Sequence, residues 1–138
     1  MRGILIKAVF WAVATAAANS NCTDGLYMIV ARGSDEPAAA SKDGLYPVNT
    51  GSPGYLAQLI AAQIKDSIIM GVEYPATLND YVQSENDGAA TMLQLAKDYH
   101  SSCPDSKMAL LGYSQVCDKN NVLVTDEDTN PYIVRAPN

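Results

Sequence analysis

The chain has 138 residues, a formal net charge of -6 and a pI near 4.5. That length holds one domain at most, and the acidity argues against nucleic acid or an anionic membrane as a partner. A hydrophobic fraction of 48% is enough for a packed core and excludes wholesale disorder.

The first twenty residues read as a signal peptide. Arg2 and Lys7 give a positive start, and Ile4 to Ala14 is apolar but short for a bilayer. Ala16-Ala17-Ala18 offers small residues at the spacing a signal peptidase needs. A membrane anchor or an N-terminal helix is the other reading. Cleavage after Ala18 or Ser20 predicts a secreted, extracellular product of about 120 residues without tryptophan, since Trp11 lies in the leader. Asn21-Cys22-Thr23 is a nominal glycosylation sequon, placed where cleavage and disulfide formation compete with its use.

Leu26 to Ala31 is a continuous apolar run, the pattern of a parallel strand buried on both faces. A loop rich in Gly, Pro, Ala and Ser follows, from Arg32 to Gly51. Ser52-Pro53 is a helix start with serine as cap, and Leu56, Leu59, Ile60 and Ile64 keep helical spacing. Ser67 to Val72 is a second strand, ended by Tyr74-Pro75-Ala76. After a loop, Ala89, Met92, Leu93, Ala96 and Tyr99 mark a second helix, which Cys103-Pro104-Asp105 stops. Met108 to Leu111 is a third strand. The order β-α-β-α-β predicts an α/β fold with right-handed crossovers. Cys22 and Cys103 each precede a strand. If those strands run parallel, both cysteines lie on one edge of the sheet, and a Cys22–Cys103 bridge is geometrically sensible. Cys117 is then unpaired.

In open parallel sheets, sites form beyond the carboxyl ends of the strands. Arg32-Gly33-Ser34-Asp35-Glu36 emerges there, and so does Gly112-Tyr113-Ser114-Gln115. A buried strand ending in G-x-S is the first half of a nucleophile elbow, in which a sharp turn lifts the serine hydroxyl above the sheet. Two donors would hold an oxyanion beside it: the N–H of Gln115, and Ser34 by its N–H and hydroxyl. Each such donor lowers an acyl-transfer barrier by roughly 3 kcal/mol.

Ala31-Arg32-Gly33-Ser34-Asp35-Glu36-Pro37, Tyr74-Pro75-Ala76, Cys103-Pro104 and Leu111-Gly112-Tyr113-Ser114-Gln115 together resemble the cutinase and acetylxylan esterase family. The resemblance covers about residues 22 to 115. It implies the N-terminal β-α-β-α-β part of a three-layer α/β-hydrolase sheet without a lid, its C-terminal strands and helices missing. It further implies Ser114 as nucleophile, Ser34 and Gln115 as oxyanion hole, and Cys22–Cys103 as a structural disulfide. The implied chemistry is carboxylic ester hydrolysis by a monomeric secreted enzyme without cofactor. The implied substrates are cutin polyester or the acetyl groups of plant polysaccharide. Tyr74-Pro75-Ala76, with Tyr81 and Ser84, look more like the acetylxylan esterase and small cutinase-like branch.

The chain departs from this pattern after Gln115. Val116 stands where the family has glycine, and a β-branched residue there would crowd the helix–strand contact. The triad in this fold runs Ser, Asp, His along the chain, yet the one histidine, His100, lies upstream. A six-residue strand, roughly 20 Å, separates it from Ser114, so it reads as a solvated residue near a helix C-terminus. Asp118, Asp126 and Asp128 have the right type for a triad acid but no histidine to orient, and Asp126-Glu127-Asp128 reads most simply as a solvated run. Val122 to Val124 suggests a short strand in an otherwise polar tail.

Residues 1–20, 21–115 and 116–138 are thus leader, partial esterase domain and anomalous tail. Every valine codon begins with GT, as standard introns do. The tail therefore reads as retained intron or frameshift, with a truncated paralogue as the alternative. The chain itself is expected to be inactive for lack of the catalytic Asp and His. A secreted non-catalytic binding protein, or a non-functional product, is the competing reading. A metal site is a poor one: Asp35-Glu36 reads as solvated loop, and one histidine with three scattered cysteines makes no ligand cluster.

Overall fold

The structure, a computed structural model, describes residues 22–117 and 132–133. The leader, Asn21, the suggested strand at 122–124 and the carboxylates Asp118, Asp126 and Asp128 lie outside the described residues. The elements in order are β1 (Leu26–Ala31), α1 (Pro53–Gln63), β2 (Ile68–Gly71), α2 (Tyr81–Ser102), β3 (Lys107–Gly112), a 3-10 turn (Ser114–Cys117) and β4 (Tyr132–Ile133). The strands pair in parallel in the order β2-β1-β3-β4. β4 is a two-residue strand that the sequence pattern does not reveal.

Alternation along β1 and β3 builds two apolar layers. Tyr27, Ile29 and Ala31 with Met108 and Leu110 face α2 through Met92 and Tyr99. Met28 and Val30 with Ala109 and Leu111 face α1 through Ala57. The chain moves outward from β1 to β2 and then back across β1 to β3, with the helices on opposite faces. That arrangement gives both crossovers one hand, as the rule for parallel βαβ units requires.

Of the residues whose spacing marks the helices, Met92, Ala96 and Tyr99 of α2 and Ile60 of α1 pack on the core, and the larger departures from expectation are in α1. Leu56 and Leu59 of α1, and Ile64 just past its end, are exposed, while Gly54 and Ala57 are buried. Ala57 packs on the sheet, and Gly54 lets the helix close on the preceding loop: a methyl added there would lie 2.0 Å from the Thr50 hydroxyl oxygen. Leu93 of α2 is likewise exposed. α2 starts at Tyr81, eight residues before the first periodic apolar position at Ala89, and buries Ser84, Glu85 and Gly88 in its early turns. Gly88 receives the Tyr74 ring, whose Cδ2 would lie 2.8 Å from an added methyl. Ser52 is no side-chain cap; it has helical dihedrals, and its hydroxyl donates to the Glu36 carboxylate.

Cys22 and Cys103 form a disulfide with a Cα–Cα distance of 5.5 Å. It ties the chain before β1 to the end of α2, at the edge opposite the Ser114 turn. Beside it, the Tyr27 and Tyr99 rings stack with centroids 3.6 Å apart, and the Thr23 N–H donates to the Tyr99 hydroxyl.

Candidate active site

β1 and β3 end level with each other, because Ala31 pairs with Gly112. β2 lies on one side of this pair and β4 on the other, so the adjoining ends form a topological switch point, the place where open parallel sheets bind ligands. The segments after β1 and β3 enter it together: a methyl added at Gly33 would lie 2.8 Å from Tyr113 Cδ1. Ser114 is exposed and takes φ 57°. The left-handed region is sparsely populated by non-glycine residues, and here it marks a sharp turn between β3 and the 3-10 turn. Val116 lies in the 3-10 turn that follows.

The Arg32–Glu36 segment is held from both ends. Arg32 is buried, and its guanidinium donates to the carbonyls of Glu36, Val72, Tyr74 and Pro75 and to Asn49 Oδ1. It also lies 5.1 Å from the centre of the Tyr74 ring, and the Tyr74 hydroxyl donates back to the Arg32 carbonyl. The Glu36 carboxylate accepts from the Gly33 N–H at 2.6 Å, from the Ser52 N–H at 3.0 Å and from the Ser52 hydroxyl. Asp35 sits at φ 59° and donates its N–H to the Ala76 carbonyl at 2.6 Å. Ser34 is thus flanked by two engaged amides, while its own Oγ is buried with no hydrogen-bond partner among the described residues. An unpaired buried hydroxyl is costly, so such groups in native proteins call for an explanation.

Gln115 is fully buried. Its Nε2 donates to the carbonyls of Thr77 and Tyr81, and its Oε1 accepts from the Ser84 hydroxyl. The residue after the elbow serine is therefore pegged into the start of α2. Leu78, Val82 and Tyr113, respectively 61%, 67% and 53% exposed, present apolar side chains from the segments that surround this peg.

A family model described as Cutinase matches residues 21–127. The chain belongs to the cutinase family. It is 29% identical over 117 residues to a cutinase of Botryotinia fuckeliana, covering 83% of this chain and 54% of that one. A cutinase of Pyrenopeziza brassicae is 28% identical over 104 residues, covering 75% and 48% respectively. The chain spans about half the length of these curated relatives. Among solved structures, an acetylxylan esterase at 0.90 Å resolution superposes with TM-score 0.58 at 22% identity, covering 68% of this chain and 44% of that one. A cutinase-like protein from Cryptococcus sp. gives 0.52 at 23% identity, with 72% and 42% covered. At those identities the superpositions establish the fold, and they agree with the parallel sheet flanked by helices.

Within this cutinase-family fold, the structure gathers Ser34, Ser114 and Gln115 at one edge and Cys22 and Cys103 at the other. His100 is half-buried in the last turn of α2, before β3 begins, while Ser114 lies beyond the end of β3. Glu36, expected to be a solvated residue, is the anchor of the Ser34 loop. The sequence signal for it is faint: a carboxylate three residues after a buried glycine, in a loop that needs its amides paired. Arg32, Thr77 and Ser84 also belong to this scaffold, and no motif singles out their contacts. Among the described residues no group of three or more His, Cys, Asp or Glu side chains is placed to hold a metal ion. No described helix is long and apolar enough to cross a membrane.

Proposed function

We propose that residues 22–117 carry the nucleophile and the oxyanion hole of a secreted carboxylic ester hydrolase. The observation that supports this best is that the exposed Ser114 at φ 57° and Ser34, with its buried unpartnered hydroxyl, follow strand ends that pair with each other. Ser114 Oγ attacks the ester carbonyl carbon, and the carbonyl oxygen becomes an oxyanion. The Ser34 hydroxyl and N–H and the Gln115 N–H stabilise that charge. The C–O bond to the alcohol then breaks, leaving an acyl-serine that water hydrolyses. The Ser114 proton needs a base within hydrogen-bond reach. His100, the one histidine in the sequence, stands at the far end of β3. The 138-residue polypeptide by itself is therefore expected to keep only a residual acceleration of about 10³ to 10⁴ over water.

Substrates of the class named by the relatives, cutin polyester or acetylated plant polysaccharide, suit an extracellular location. The Cys22–Cys103 disulfide supports that location, because such bonds persist in oxidising compartments. Exposed Leu78, Val82 and Tyr113 favour esters with an apolar chain.

The test is phosphonylation of the purified chain by an alkyl fluorophosphonate, located by peptide mapping, beside hydrolysis of p-nitrophenyl butyrate. Label on Ser114, with hydrolysis that stays near the Ser114→Ala rate for want of a base and falls by about 10² in Ser34→Ala, supports the reading. Label elsewhere, or hydrolysis indifferent to Ser34→Ala, overturns it.

A further inference from the structure

We infer that Ser84 is a positioning residue for ester hydrolysis: it aims the Gln115 N–H by locking the Gln115 side chain to the connection between β2 and α2. The inference rests on the reading of Gln115 as an oxyanion donor.

Ser84 is 2% exposed and lies in the first turn of α2. Its backbone N–H already serves the helix, donating to the Asp80 carbonyl at 3.0 Å. Its hydroxyl is not spent on the helix end. It donates to Gln115 Oε1 at 3.2 Å and accepts from the Thr77 N–H at 3.1 Å. Gln115 Nε2 completes the loop, donating to the Thr77 carbonyl at 3.1 Å and the Tyr81 carbonyl at 3.2 Å. Both ends of the carboxamide are therefore fixed, and its orientation follows from the donors and acceptors around it. Gln115 is fully buried, so water cannot replace a missing partner.

The geometry matters because Gln115 has two jobs on one short lever. Its side chain is held by α2, and its N–H lies directly after the Ser114 turn. A donor helps only when it meets the developing oxyanion at hydrogen-bond distance, and small misplacements of reacting groups are expensive. Removing the Ser84 hydroxyl would leave Gln115 Oε1 and the Thr77 N–H without it. The carboxamide would then turn or withdraw, and the N–H would move with its Cα. The same hydroxyl holds Thr77, whose neighbour Leu78 is an exposed apolar wall residue. One side chain that never touches substrate thereby sets a donor and a wall together.

The experiment uses the full chain and the series Ser84→Ala, Ser84→Thr, Gln115→Met and the Ser84→Ala/Gln115→Met double variant. Initial rates on p-nitrophenyl butyrate and saturation kinetics of Ser114 phosphonylation give a maximal rate and a half-saturation concentration for each. Thermal melts confirm folding. Ser84→Ala should lower the maximal rate about tenfold and leave half-saturation within about twofold. Ser84→Thr, which keeps the hydroxyl, should restore most of the rate. In the Gln115→Met background Ser84→Ala should cost nothing further, since a residue acting through another is non-additive with it. Should Ser84→Ala fail to fold, Ser84→Cys, of similar shape and a weaker donor, carries the same expectation. An equal loss in both backgrounds, a loss seen only in half-saturation, or no loss at all overturns the role of Ser84 alone. Phosphonylation of the parent chain at a residue other than Ser114 overturns the esterase reading and the positioning role with it.

Discussion

Replacing Glu36 by glutamine tests whether the Ser34 loop is held by its carboxylate. The carboxylate accepts three hydrogen bonds, from the Gly33 N–H, the Ser52 N–H and the Ser52 hydroxyl. Glutamine keeps a single oxygen. If that oxygen stays with Ser52, the new NH₂ group faces the Gly33 N–H, donor against donor. Gly33 is buried, so its N–H then lacks a partner, at a cost of about 1–3 kcal/mol. The two remaining bonds lose their charge assistance, but Ser52 is exposed and this adds only about 0.5 kcal/mol. The total is about 2 kcal/mol, or about 10 °C in Tm for a domain of this size. Far-UV circular dichroism melts would compare Glu36→Gln with Glu73→Gln, whose carboxylate is exposed. The control should lie within about 0.5 kcal/mol of the parent, and Glu36→Gln should also speed amide exchange at Gly33. A Glu36→Gln melt within about 2 °C of the parent, with Gly33 exchange unchanged, would refute the anchoring role.

Two further outcomes follow from the opposite edge of the sheet. Cys22→Ser with Cys103→Ser opens a loop of sequence separation 81, which in the chain-entropy model costs about 4.5 kcal/mol; a chemical denaturation midpoint unchanged by the pair would contradict it. Burial, and then the neighbouring Tyr99 phenol, push the Tyr27 hydroxyl above its ordinary pKa of 10.0. The unfolded chain therefore loses that proton first. The stability tied to Tyr27 is fully present below pH 10 and is lost as pH rises through the folded value. Tyr27→Phe should flatten the alkaline fall in Tm, and an identical fall in both proteins would show that other groups cause it.

β1, β2 and β3 were readable because apolar runs of four to six residues bounded by turn residues have few other fates. The elbow was readable because Gly112-Tyr113-Ser114-Gln115 closes such a run. The helices were harder. Spacing in α1 singles out the largest apolar side chains, yet of these only Ile60 packs on the core beside the small Ala57, Gly54 packs against Thr50 of the preceding loop, and Leu56, Leu59 and Ile64 stay outside. The first turns of α2 read as polar loop because Ser84, Glu85 and Gly88 are buried by tertiary contacts, with Gln115 and Tyr74, that no local pattern encodes. The same holds for Glu36 and Arg32. A charged side chain in a loop looks solvated when partners such as the Ser52 N–H for Glu36, or the Val72 and Tyr74 carbonyls for Arg32, lie far along the chain.

Those polar anchors have a common task. Among the described residues, six non-glycine residues take positive φ, and five of them, Asp35, Asn49, Ala76, Asp80 and Ser114, belong to the loops at the carboxyl edge. Left-handed dihedrals cost roughly 1–2 kcal/mol per residue and less for Asn and Asp, so the edge stores several kcal/mol in a domain whose total stability is about 5–15 kcal/mol. Such strain persists only where the surroundings over-determine it. The bonds do so here: the Asp35 N–H holds the Ala76 carbonyl, Arg32 gathers the carbonyls that end β2, Glu36 closes the loop after β1, and Ser84 with Gln115 pins the turn that carries Ser114. The disulfide and the stacked tyrosines lie at the far edge, where no such strain is needed except at Asp66. Covalent and apolar stabilisation at one end thus offsets strain at the other, and the strained end is the one that presents Ser114 and the unpartnered Ser34 hydroxyl.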